Sequence, residues 1–356
     1  MLLTLPQLPA HLHQGLEPLY VLHGDEPLLE QEALDAIRAH ARGLGFTERE
    51  AFVAAARQFD WSAIVAACAS QSLFAERKIV EVRLPTGKPG KEGEQVFVRL
   101  AQQAAQVRQD GGALPDTLLL ILLPRADRTM QQSAWFTALE RVGAVLRIDP
   151  VARADMPAWL AQRLKAQGQS VAAGDEGLQT LSFFADCVEG NLMAAHQEVQ
   201  KLALLYPPGA LTREQIEASV LNVARYSLSD LSRACLLGQS VRSQRILEGL
   251  LAEGEAPVRL HSTLAGDVLS LYHLRCALDE GVPLPQALRQ ARVWGPKEKL
   301  FERVAPRLRR PALSRLVQSA HVVDGINKGL PHPLWPHDPH GALQRLVMQI
   351  CRAMQV

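Results

Sequence analysis

Phosphate chemistry is the first possibility to test, because an apolar strand signal at residues 19–23 runs directly into Gly24-Asp25-Glu26-Pro27-Leu28-Leu29-Glu30-Gln31. A phosphate cradle at such a strand-to-helix corner needs G-x-x-x-x-G-K-[ST]. The glycines expose backbone N–H groups, the lysine meets the phosphates and the hydroxyl holds Mg²⁺. The second glycine, the lysine and the hydroxyl are all missing here. Asp25 and Glu26 instead place carboxylates at a helix N-terminus that would otherwise attract an anion, and Pro27 removes one donor. They are expected to cap the helix and repel a phosphate. The apolar run 117–123 is followed by Pro124-Arg125, and Asp127 comes too late to hold Mg²⁺. No cofactor and no ATP hydrolysis by this chain alone are expected. There is also no G-x-S-x-G elbow and no recognisable Cys/His pair, so no catalytic residues are assigned. His332, His337 and His340 share a Pro-rich stretch and could approach one metal. Loop histidines are more often polar surface, and no metal site is expected.

Two other groups suit binding rather than catalysis. Gln71-Ser72-Leu73-Phe74-Ala75 places two large apolar side chains side by side where a helix from Trp61 should end. Adjacent helical residues point about 100° apart, so Leu73 and Phe74 cannot both face one core stripe. One reading is a hydrophobic staple packed inward; the other is an apolar pair offered to a partner. Arg292-Val293-Trp294-Gly295-Pro296-Lys297-Glu298-Lys299 sets a tryptophan among cations near a chain break. That combination suits stacking on a base with phosphate contacts, while a Trp packed between helices with charges outside is the alternative.

The elements that must hold these groups are legible from periodicity. Residues 78–84 read as a partly alternating strand, a further strand is plausible around Phe52-Val53, and 117–123 is apolar on both faces, as a central parallel strand must be. Residues 145–148 read as another strand. Helices from Pro27, from Trp61 (Trp61, Ile64, Val65 and Cys68 inward) and over 94–107 alternate with them, giving a parallel α/β sheet. Asp60-Trp61-Ser62 supplies a helix start. After Asp149-Pro150 strand signals nearly vanish. Helices are expected over 155–168 and 175–205, and again from Ser227 onward, with breaks at Pro257, 281–285, Gly295-Pro296, Pro306, Pro311 and 331–339.

Composition excludes several classes. The 356 residues carry a formal net charge of +1 and 47% apolar residues, an ordinary globular balance with room for two or three cores. Five separated cysteines with no C-x-x-C pair argue against a disulfide framework or zinc ribbon. The N-terminus lacks a signal-peptide pattern and no apolar run is long enough to span a bilayer, so a cytoplasmic protein with no membrane partner is expected. Charge is uneven: residues 258–356 hold 14 Lys and Arg against 7 Asp and Glu, whereas residues 1–149 and 150–257 are each net acidic. Such a segment fits nucleic acid, and solvated helix faces would give the same count.

Taken together, the chain resembles the delta subunit of the bacterial DNA polymerase III clamp loader. The resemblance is carried by residues 20–29, Asp60-Trp61, Ser72-Leu73-Phe74-Ala75 with Arg77, and residues 134–139. It continues through Glu189-Gly190-Asn191-Leu192, Leu204-Leu205-Tyr206-Pro207 and Arg292-Val293-Trp294. It implies an AAA+/RecA-like α/β domain with a degenerate nucleotide site over 1–149, a small helical lid domain over 150–221 and a helical collar for oligomerisation over 222–356. It also implies a role for the apolar pair, since in the family the matching Leu and Phe enter a pocket of the ring-shaped sliding clamp. Ser70-Gln71-Ser72-Leu73-Phe74 resembles a clamp-binding pentapeptide, Q-L-[SD]-L-F, that keeps its last three positions. The implied clamp-binding residues are Gln71, Ser72, Leu73 and Phe74, and Arg292, Trp294 and Lys297 are candidate DNA contacts. The implied partners are the sliding clamp (beta subunit), the gamma/tau and delta-prime subunits through the collar, and primed DNA. The subunit would open the clamp without hydrolysing nucleotide, within a holoenzyme that is a DNA-directed DNA polymerase, a nucleotidyltransferase assembly. An active AAA+ ATPase and a helical regulatory scaffold are the competing expectations.

Overall fold

The structure, a computed structural model, describes residues 1–55, 59–69, 77–109, 116–220 and 224–355. The chain divides into two compact units, Met1–Trp159 and Leu160–Val356.

The first unit contains β1 (Leu2–Thr4), α1 (Leu8–Gln14), β2 (Leu19–Gly24), α2 (Pro27–Gly43), β3 (Phe46–Val53), α3 (Trp61–Ala69) and β4 (Arg77–Arg83). It continues with α4 (Gly90–Gln109), β5 (Thr117–Leu123), α5 (Arg128–Gln131), α6 (Ala134–Val142), β6 (Ala144–Ile148) and the start of α7 (Met156–Ala166). The six strands form one parallel sheet in the order β1-β6-β2-β5-β4-β3. β2 and β5 are central and buried along nearly their whole length, which is why each reads as a continuous apolar run. The expected parallel α/β sheet is present, with two additions. β1 had no legible signal because it is three residues long, and β3 extends back from the expected Phe52-Val53 to Phe46. Its polar run Thr47-Glu48-Arg49-Glu50 masks the strand, since an edge strand paired only with β4 tolerates charge.

A series of rings joins the helices on one face of this sheet. Phe59, Trp61, Phe97, Trp135 and Phe136 follow one another with centroids 5.1, 5.4, 5.6 and 5.7 Å apart, and His23 lies 6.0 Å from Phe136. Most pairs are edge-to-face, the arrangement favoured by the ring quadrupole. The close approach of α4 to α3 depends on Gly93, where a Cβ would fall 2.4 Å from the Trp61 ring. On the other side of β4, Glu81 is buried and receives two 2.7 Å bonds from Arg38 of α2, with Arg49 at 3.1 Å. Removing one partner of such a pair typically costs about 3–5 kcal/mol.

The second unit is mainly helical. After α7 come β7 (Gln169–Val171), α8 (Asp175–Val188), α9 (Leu192–Leu205), β8 (Gly209–Leu211) and α10 (Arg213–Ser219). α11 (Leu228–Leu236), α12 (Ser240–Ala252), α13 (Pro257–Asp279), α14 (Leu284–Gln290), α15 (Glu298–Val304), α16 (Arg310–Asn327) and α17 (Pro339–Met354) complete it. A two-stranded parallel ladder, β7 with β8, was not expected; three residues are too few to show a period. The prolines read as breaks lie at helix starts: Pro257, Pro311 and Pro339 occupy the first turns of α13, α16 and α17. Within this unit α12 is tied to α8 and its C-cap by Arg245–Asp186 at 2.6 Å and by an Arg242–Glu189 pair. The Arg225 N–H also donates to the Glu189 carbonyl at 2.7 Å. The expected boundary at 221/222 falls on residues outside those described. Among the described residues no helix is long and apolar enough to cross a membrane.

Candidate functional site

In an open α/β sheet, ligands are held at the carboxyl ends of the strands where the strand order turns back on itself. Here that place is the exit of β2, between β5 and β6, and it contains Gly24, Asp25 and Glu26. Gly24 is required by packing against the neighbouring strand, because a Cβ there would lie 2.0 Å from the Ile148 carbonyl oxygen. Asp25 was expected to cap α2. Its Oδ1 instead accepts the Arg125 N–H at 3.1 Å, because the turn after β5 passes directly beside it. His23 Nδ1 accepts the Ala126 N–H at 3.3 Å in the same way. Burial, followed by the nearby Arg147 guanidinium, pushes the His23 pKa down, so the ring is held neutral. Arg147 bonds Asp149 at 2.7 Å. Glu26 is the N-cap residue of α2 in extended conformation, and burial raises its carboxyl pKa. The crest thus carries the chain's own carboxylates, Asp25 exposed and Glu26 half-buried, and is stitched from β2 to the exit of β5.

Gln71, Ser72, Leu73 and Phe74 lie outside the described residues; their flanks are described. Asp60 Oδ1 accepts the Ser62 N–H at 3.0 Å, which fixes the start of α3, and Trp61 and Ile64 are buried while Val65 and Cys68 are half-buried. On the other flank, Arg77 donates to the Leu44 carbonyl at 2.7 Å and stands 5.8 Å over the Phe46 ring. One flank is therefore anchored at the start of α3 and the other at the amino end of β4.

The structure brings Arg292 and Trp294 onto one exposed turn and directs Lys297 elsewhere. α14 ends in a Schellman motif: Arg292 N–H bonds Arg289 O at 3.1 Å and Val293 N–H bonds Leu288 O at 3.0 Å. Arg292 occupies the left-handed position at φ +55°, Val293 is buried, and Trp294 is left 63% exposed. Lys297 Nζ donates to Asp267 at 2.6 Å, and Asp267 also accepts the Ser232 hydroxyl. His332, His337 and His340 are not gathered: among the described residues no cluster of three or more His, Cys, Asp or Glu side chains could hold a metal. One group escaped the sequence reading, the arginines around α16. The uninterrupted basic stretch between Glu302 and Asp324 was the available signal.

The architecture is a six-stranded parallel α/β region followed by a mainly helical remainder. Residues 20–149 match the family model described as DNA polymerase III, delta subunit. The chain is 33% identical to DNA polymerase III subunit delta of Escherichia coli K12, over 88% of this chain and 86% of that protein. It is 28% identical to DNA polymerase III subunit delta of Haemophilus influenzae, over 90% and 92%. Among solved structures it is similar to the Bacillus subtilis DNA clamp loader delta protein, with a TM-score of 0.50 and 18% identity over 98% of this chain and 99% of the other. The chain belongs to the DNA polymerase III delta-subunit family.

Proposed function

We propose that this chain is the clamp-opening subunit of a clamp loader, which grips a ring-shaped sliding clamp through Leu73 and Phe74. The reading is carried by the acidic crest of β2, where Asp25 and His23 accept the backbone N–H groups that follow β5. A domain of this fold with that place taken up by its own side chains needs a purpose other than ATP turnover, and binding a protein partner supplies one. Energy from ATP would come from sister subunits, gamma/tau and delta-prime, joined through a collar over 222–356. Residues 150–221 would form the lid. Gln71 and Ser72 would complete the clamp contact.

Burying the Leu73 and Phe74 side chains supplies roughly 3–6 kcal/mol before association costs. That is enough for a hot spot. Holding the ring open requires tighter binding to the open clamp than to the closed one. On primed DNA, Trp294 and Arg292 would stack on a base and meet phosphate, supported by their shared exposed turn. Lys297 could join them only by leaving Asp267.

Calorimetric titration of the full chain with its cognate sliding clamp tests the central claim. The double variant Leu73→Ala/Phe74→Ala is expected to weaken binding at least about 100-fold, the equivalent of roughly 3 kcal/mol. Strong binding that survives the double substitution would remove the site, and a wild-type chain that ignores the clamp would remove the function.

A further inference from the structure

The second unit carries a basic cavity that clamp binding does not use. Between Glu302 and Asp324 the sequence holds Arg303, Arg307, Arg309, Arg310 and Arg315 with no intervening carboxylate. Arg307 and Arg309 lie on the short link before α16, Arg315 comes from the second turn of α16, and Arg352 from the last turn of α17. With His332 and Trp335 from the link between α16 and α17, they line an open cavity of about 870 Å³. No Asp or Glu lines it. Among the described residues none of these four guanidinium groups forms an ion pair, whereas Arg242, Arg245 and Arg275 of the same unit are each paired with a carboxylate. The floor is apolar where Leu308, Ala312 and Val322 contribute. Trp335 is held in place: Arg345 stacks 4.5 Å from its ring centre and also bonds the Leu334 carbonyl.

Four cations that share a concave site without counter-charge focus a positive potential, and guanidinium groups match phosphate oxygens in pairs. A fixed indole beside them adds a surface that every base can stack on. An acidic peptide would satisfy the charges and leave the ring unused. We propose that this cavity binds single-stranded nucleic acid without sequence preference, through its phosphate backbone and one stacked base, at a site separate from Trp294. The proposal stands without the clamp-binding reading.

Fluorescence anisotropy of a labelled oligo-dT strand with the full chain, followed over increasing salt, tests it. Arg309→Glu/Arg315→Glu is expected to weaken binding at least tenfold and to reduce the slope of log affinity against log salt by about 0.7 for each phosphate no longer neutralised. Trp335→Ala should weaken binding with the slope unchanged, and Trp294→Ala should leave the effect of the arginine pair intact. Both arginines are exposed, so the charge-reversed chain is expected to melt like the wild type. A photo-crosslinking strand should also attach to the wild-type chain within residues 307–352. The proposal is overturned if the wild type does not bind the strand at low salt, if charge reversal leaves binding unchanged, or if cross-links map only elsewhere. Tighter, equally Arg309/Arg315-dependent binding of a poly-glutamate peptide would overturn it in favour of an acidic peptide.

Discussion

The His23 imidazole accepts a backbone N–H through Nδ1, which only the neutral ring can do. Its pKa is pushed down by burial, so as pH falls below about 6.5 the unfolded chain takes up a proton that the folded chain refuses. The contribution of this residue is therefore complete above that pH and is lost as the pH falls toward the depressed folded value. Urea midpoints measured between pH 5 and 7.5 should decline less for His23→Gln than for the wild type; parallel declines would show that the ring does not titrate in this way. The failed phosphate motif was legible because it depends on residue types at fixed spacing. The hydrogen bond of Asp25 was not, since its partner Arg125 lies 100 residues away. Lys297 is a similar case: its neighbours in sequence suggested a cationic cluster, and its actual partner, Asp267, sits on another helix.

The turn between α14 and α15 is an element-scale device. Its Schellman closure buries Val293 and leaves Trp294 outward, at the cost of a non-glycine residue at φ +55°. Arg292→Gly should remove that strain and raise stability by up to about 1 kcal/mol. A lower urea midpoint for the glycine variant would mean that the arginine side chain contributes more than the backbone costs. The helices were legible through caps and prolines, β2 and β5 through apolar runs, and β4 through partial alternation. β1, β7 and β8 were not, because each is three residues long and is fixed by a partner distant in sequence. Gly93 shows the same limit: nothing local reveals that it clears space for Trp61.

For the whole molecule, the proposed division of labour places ATP turnover in other subunits. Purified chain supplied with Mg²⁺-ATP is expected to release phosphate at no more than the background rate. Saturable turnover that vanishes when residues 24–31 are altered would reverse that assignment. The order of an α/β region and a helical remainder was legible because the period of the apolar pattern changes after residue 149. The arginine cavity was not, because it gathers residues from two helices and two links. The ring series through the first unit has a spectroscopic consequence. Trp61 and Trp135 are buried, with Phe97 packed between them, while Trp294 stands in solvent and Trp335 is stacked under a guanidinium. Blue-edge emission therefore reports Trp61 and Trp135 in the sheet domain, and the red-edge fraction open to acrylamide is led by Trp294, with the half-buried Trp159 and Trp335 between these extremes, so the unlabelled chain carries distinguishable optical probes of its own.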